Sequence, residues 1–86
     1  FSQHALDQMI DRGTNKEEVI IAIREGERQA AKKGRISYRK NFPFDHIWKE
    51  RYYGMKQIMP IVVEEQDRYV VVTVYVYFYG GEAHED

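Results

Sequence analysis

Residues 69–79, Tyr-Val-Val-Val-Thr-Val-Tyr-Val-Tyr-Phe-Tyr, constrain this chain more than any other stretch. Apolar β-formers recur there with a period of two, and a segment of that kind is stable only as a strand whose apolar side is covered. Val70, Val72, Val74, Val76 and Phe78 fall on one side of it. Tyr69, Val71, Thr73, Tyr75, Tyr77 and Tyr79 fall on the other. The fold must therefore supply neighbouring strands for the backbone and an apolar layer for the valine face. The second face is expected to present Thr73 among aromatic rings.

The apolar layer comes from the N-terminal third. Ser2 is placed to cap a first helix, over about 2–12, whose Ala5, Leu6, Met9 and Ile10 have helical spacing, with His4, Asp7, Gln8 and Asp11 opposite. Gly13 ends it, and Thr14 with Glu17 has the spacing of a capping box for a second helix over about 14–25. That helix carries Val19, Ile20, Ala22 and Ile23 on one stripe and stops at Gly26. The period then drops to two, with Ile36, Tyr38, Lys40 and Phe42 alternating against Arg35, Ser37, Arg39 and Asn41. A short strand within 27–31 is expected before it, joined through Lys32, Lys33 and Gly34.

Residues 41–49, with Pro43, two Phe and the only Trp, read as an irregular loop. The chain is extended again from about Arg51 to Glu65, where Pro60 argues for an edge or bulge, and Gln66–Asp67 forms a turn. Gly80 to Asp86 reads as an acidic tail. The expectation is one α+β domain over 1–86. Two N-terminal helices pack on one face of a three- to four-stranded, mainly antiparallel sheet over about 27–79.

Charge is sorted along the chain. The net charge is −1, yet residues 1–27 carry −3, residues 28–56 carry +7 and residues 57–86 carry −5. Such segregation places a local positive field on a nearly neutral molecule, suited to phosphate, unless the cations pair with the acidic ends across the fold. The absence of cysteine excludes disulfides, thiolate metal sites and cysteine nucleophiles, and fits a cytoplasmic protein. The longest apolar run is too short for a membrane-spanning helix, so no membrane partner is expected. No signal peptide is visible, and the start at Phe1 without methionine is what a domain cut from a longer chain would show.

Arginines beside tyrosines suit single-stranded RNA, since guanidinium groups bind phosphate and aromatic faces stack on unpaired bases. Arg35, Arg39, Arg51 and Lys56 are the candidate cations; Tyr38, Tyr52, Tyr75 and Tyr77 are the candidate stacking rings. The alternative is a tyrosine-covered face buried in a homodimer, with solvated arginines at its rim. RNA cleavage without a metal needs a proton acceptor for the 2′-hydroxyl, a proton donor for the leaving oxygen, and a cation for the phosphorane. His4 is the acid/base candidate, because it lies off the apolar stripe one turn from Gln8 and two from Arg12. Thr73, a polar residue within a hydrophobic strand, is placed to position a phosphate or base. His4, His46 and His84 show no metal-ligand spacing, and no phosphate-binding glycine loop is present, so no metal or cofactor is expected.

FSQHALDQMIDRGTNKEEV at the start, then GRISYRKNF, then KQIMPIVVEEQDRYVVVTVY, resemble the bacterial domain-of-unknown-function family 4258 over nearly the whole chain. The resemblance implies a fold like that of RelE and barnase, within the barnase, EndoU, colicin and RelE-like superfamily of metal-independent ribonucleases. Many of these are toxins neutralised by a partner protein. It implies site roles for His4, Arg12, Arg35, Thr73 and Tyr75, RNA as substrate, free or on the ribosome, and an antitoxin as partner. One departure stands out. The family often has a basic residue one turn after the histidine, where this chain has the uncharged Gln8. Either a neighbouring arginine substitutes for it or this copy is weakened, and a non-catalytic RNA- or protein-binding module on the same fold is the alternative.

Overall fold

The alternation of residues 69–79 is matched on the strand beside it, and four strands together build one sheet. The computed structural model describes residues 1–81. It contains helices α1 (Gln3–Arg12) and α2 (Lys16–Glu25), then strands β1 (Glu27–Ala30), β2 (Ile36–Trp48), β3 (Arg51–Glu65) and β4 (Arg68–Tyr79). The strands form an antiparallel sheet in the order β1-β2-β3-β4, with a single 3-10 turn at Lys32–Gly34 between the first two. This is the expected α+β architecture, with both helices on one face. Most of the expected acidic tail lies outside the described residues.

β3 is the central strand of the core. Lys56, Ile58, Pro60 and Val62 alternate inward along it and are buried. Ile58 and Val62 meet Ala5 and Met9 of α1, Val19 and Ala22 of α2, and Val71 and Val74 of β4, with Leu6, Ile23, Tyr38, Phe42 and Val76 packed around them. Removing this apolar area from water drives the folding of so small a chain. A second cluster extends it beyond the end of α1. Trp48 stacks on Phe78 at 5.2 Å between ring centroids, and Phe44 and Tyr53 approach the same ring at 5.1 and 5.4 Å. Gly13 is needed twice over here: it closes α1 at φ 83°, and a Cβ on it would lie 2.9 Å from the Trp48 ring.

Several expectations are corrected. The N-cap of α2 is Asn15, whose side chain accepts from the Glu18 amide at 2.9 Å, whereas the Thr14 hydroxyl donates to the Glu18 carboxylate at 2.8 Å. Ile10 is 79% exposed, and Ile20 is also outside the core, because the short helices bury only the narrow stripes centred on Ala5–Met9 and Val19–Ala22. Residues 41–48 are strand, not loop. Pro43 is tolerated because β1 pairs only with residues 36–39, leaving the rest of β2 with one free edge. A register shift between Pro43 and His46, with Asp45 at φ 50°, bends the strand there.

The valine face of β4 is split. Ile61 pairs with Thr73 and Val62 with Val71, so Val72 forms a bulge, and Val71 rather than Val70 or Val72 joins the core. Pro60 lies in an interior strand. It pairs with Val74, and the β2–β3 ladder has no paired positions opposite Met59 and Pro60.

The free edge of β4 is closed by α1. The Ser2 amide donates to the Val71 carbonyl at 2.9 Å, and the Ser2 hydroxyl to the Val72 carbonyl at 3.3 Å. The Val74 amide donates to Gln8 Oε1 at 2.8 Å, and Arg12 Nη1 donates to the Val74 carbonyl at 2.8 Å. Gln8 was expected to face away from the core. It is half-buried instead, because an uncovered strand edge needs hydrogen-bonding partners.

Candidate functional site

With both helices on one side, the second face of the sheet has no covering layer among the described residues. Strand alternation and register define what it displays. Across the sheet, Ser37 lies beside Ile61 and Thr73, Met59 beside Tyr75, and Asn41 beside Gln57 and Tyr77. Arg35, just before β2, heads a column that Ser37, Arg39 and Asn41 continue along the strand, and along β4 runs the column Thr73, Tyr75, Tyr77, Tyr79. The β2 column is thus cationic and polar and the β4 column aromatic, with Met59 and Ile61 as the floor between them; beyond β2, the edge strand β1 adds Gln29 and Glu27, the partner of Arg39.

At one end of this face a cavity of about 550 Å³ is lined by Lys32, Lys33, Arg35 and Ser37 on one side and by Thr73 and Tyr75 on the other. Among the described residues, the side chains of Lys32, Lys33 and Arg35 have no ion-pair partner. Tyr75 and Tyr77 stand nearly parallel, 14° apart with centroids 6.4 Å from each other, and both are exposed. The Arg12 guanidinium lies over Tyr75 at 5.4 Å while bonded to Val74, so α1 contributes a cation at the border of the open face. A concavity of about 580 Å³ at the β3–β4 turn is lined by Glu65, Gln66, Asp67 and Arg68; no aromatic ring lines it, and its one cation, Arg68, is paired with Glu65 at 3.5 Å.

The structure brings Arg35, Thr73 and Tyr75 to one cavity, with Arg12 and Tyr77 adjoining. Arg39 is on the same face, paired with Glu27 at 2.9 Å in a largely solvated ion pair. His4 is exposed one turn before Gln8 on α1, and among the described residues its ring has no hydrogen-bond or ionic partner.

Four candidates lie elsewhere. Tyr38 shares the parity of Phe42 and packs against the core on the helix side. Lys56 is only 6% exposed on that same side, donating to Glu18 Oε1 at 2.8 Å and to the Gly13 carbonyl at 3.0 Å. Its ammonium therefore closes the last turn of α1 and binds a carboxylate near the start of α2, which leaves it unavailable to an external phosphate. Arg51 begins β3 at the far end of the sheet, eight residues from Met59, or about 26 Å at strand rise. Tyr52 is at that end too, donating to Asp45 Oδ1 at 2.7 Å; this hydrogen bond, followed by desolvation and the carboxylate charge, raises its pKa above the usual tyrosine value.

The chain matches no family model, no curated protein and no solved structure.

Among the described residues no helix is long and apolar enough to cross a membrane, and no group of three or more His, Asp and Glu side chains is placed to hold a metal ion. Two features of the face escaped the sequence reading. Lys32 and Lys33 read in the sequence only as turn residues, although a single glycine separates them from Arg35. Gln57 Nε2 donates to Asn41 Oδ1 at 3.0 Å, pairing two amides beside Tyr77; their shared parity with Met59 and Arg39 was the available signal.

Proposed function

We propose that this domain acts on single-stranded RNA held on the open sheet face, and that it is a metal-independent, toxin-like endoribonuclease. The observation that carries the reading is the single cavity in which Lys32, Lys33 and Arg35 face Thr73 and Tyr75 across an apolar floor. Cations at one wall suit phosphates, and rings at the other suit unpaired bases, which is the division of labour that single-strand binding requires. In this reading Arg35 binds phosphate, with Arg39 beside it. Thr73 and Tyr75 position the nucleotide, and the partner-free imidazole of His4 exchanges the proton of the 2′-hydroxyl or of the leaving oxygen. Arg12, already over Tyr75, supplies positive charge at the reacting phosphate. The resemblance to family 4258 supports the reaction type, and a neutralising antitoxin is the partner that goes with it.

A specific observation favours the non-catalytic binding module as second reading. Gln8 and Arg12 are both engaged with the backbone of Val74, so the position where the family often has a basic residue serves the strand edge. One experiment separates the two. Purified protein is incubated with labelled single-stranded RNA in the presence of chelator, and products are examined for 2′,3′-cyclic phosphate ends. Cleavage that His4→Ala abolishes without loss of fold supports the nuclease. Tight binding with no cleavage leaves the binding module, and neither binding nor cleavage overturns both.

A further inference from the structure

The aromatic column on β4 has a geometry more specific than a general stacking surface. Tyr75 and Tyr77 are two residues apart on a strand, so their rings rise from the same face one side-chain repeat apart, and their planes are only 14° from parallel. Their centroid separation of 6.4 Å is the upper limit of the spacing between the ring planes, so the two side chains must turn apart until the planes stand about 6.8 Å from each other, two stacking intervals of about 3.4 Å, to admit one flat ring between them. Both tyrosines are exposed, so the space between them is open to solvent. Arg12, anchored on the Val74 carbonyl and lying over Tyr75, steadies one wall.

Beside this slot, in the same row as Tyr77, lies the hydrogen-bonded amide pair of Gln57 and Asn41. The bond between them uses one carbonyl and one N–H. Whichever way the amides are turned, one carbonyl oxygen and one NH₂ group remain, so the pair presents an acceptor and donors side by side. An amide of that kind is complementary to the N6 amino donor and N7 acceptor of adenine, an edge on which uracil has no matching donor–acceptor pair.

We propose that Tyr75 and Tyr77 form a slot for one unpaired base of the bound RNA, and that the Gln57–Asn41 pair reads the edge of that base and favours adenine. This rests on the RNA-binding reading and makes Gln57 a specificity-determining residue. Phosphates flanking the clamped nucleotide run toward the Arg35 wall of the cavity.

The test is fluorescence anisotropy with short labelled oligoadenylate and oligouridylate, both 2′-O-methylated so that attack by a 2′-hydroxyl is blocked. The native protein is expected to bind oligoadenylate about fivefold or more tightly than oligouridylate. Tyr77→Ala weakens both by about tenfold, while Tyr77→Phe, which keeps the ring, binds as the native protein does. Gln57→Ala removes the preference and leaves oligouridylate affinity unchanged. Circular dichroism of each variant establishes that the sheet is intact. Arg35→Ala weakening both ligands while Tyr77→Ala changes neither would overturn the slot and leave the RNA reading standing. Equal affinity of the native protein for the two oligonucleotides would overturn the edge recognition. Binding of neither would overturn the RNA reading and the slot with it.

Discussion

Replacing Lys56 tests the chief reassignment made by the structure, from RNA ligand to internal tie between two helices and the sheet. The ammonium lies 2.8 Å from Glu18 Oε1, 3.0 Å from the Gly13 carbonyl and 5.2 Å from the centre of the Phe44 ring. The same Glu18 Oε1 also accepts from the Thr14 hydroxyl at 2.8 Å. Lys56→Met keeps most of the side-chain volume but removes every one of these polar contacts, leaving a carboxylate and a carbonyl without their donor. Breaking a buried pair from one side costs about 3–5 kcal/mol. The Glu18 side chain is 25% exposed, so water recovers part of its solvation and about 2–3 kcal/mol is the expected loss. A domain of this size has a total stability of about 4–13 kcal/mol, and each kcal/mol moves Tm by about 4–8 °C, so Tm should fall by about 8–24 °C. Urea and thermal unfolding followed by Trp48 fluorescence and circular dichroism measure this, with Arg68→Ala, which removes an exposed ion pair, as a control expected to stay within about 0.5 kcal/mol. In the double variant Lys56→Met/Glu18→Leu the two losses should fall well short of additive. A Lys56→Met protein as stable as the native one but weakened in RNA binding would refute the reasoning and restore Lys56 to the site.

Tyr52 gives a pH prediction. Its pKa is raised in the folded state by the bond to Asp45, so the stabilisation is fully present below the ordinary tyrosine value of about 10 and is lost as pH rises through the higher folded value. Unfolding between about pH 8 and 11 should show the native protein losing more stability than Tyr52→Phe; parallel profiles would remove the bond from the account. The β2–β3 turn holds Lys49 and Glu50 at φ 51° and 71° between the paired Trp48 and Arg51, the dihedral pattern that Asn-Gly prefers. Lys49→Asn/Glu50→Gly should therefore raise stability by about 1 kcal/mol, read as a Tm increase of about 4–8 °C; an unchanged or lower Tm contradicts it. Gln8→Ala should cost about 1 kcal/mol and sharply accelerate hydrogen exchange at the Val74 amide, whereas unaltered Val74 exchange would mean that α1 does not close the β4 edge.

Local patterns with one solution were legible in the residues themselves. Ser2, Gly13 and Gly26 bound the helices where expected, and the 35–42 alternation assigned opposite faces to Arg35 and Ile36. Patterns with several solutions were not. Val70, Val71 and Val72 are identical, so a bulge that reverses which of them is buried leaves no mark on composition. Pro43 reads as a strand breaker unless one knows that β1 is too short to need its amide. Lys56 reads as surface by its charge, although its shared parity with Ile58, Pro60 and Val62 pointed inward; only the long-range position of Glu18 and Gly13 makes its burial affordable. The site followed the same division. Thr73 and Tyr75 were found from one strand's alternation, but the juxtaposition of Lys32, Lys33 and Arg35 with them depends on pairing β2 and β4 across β3. Grouping by net charge alone swept in Lys56 and Arg51, because charge along a chain does not record which face or which end of a sheet a residue occupies.

Nuclear magnetic resonance titration of the isotopically labelled domain with single-stranded RNA tests the RNA-binding face most directly. The account predicts shifts concentrated at Lys33, Arg35, Ser37, Thr73, Tyr75 and Tyr77, with the amides of Gly13, Val19, Ala22 and Lys56 on the helix face unmoved. Shifts centred on the helix face, or an unchanged spectrum at saturating RNA, would contradict it.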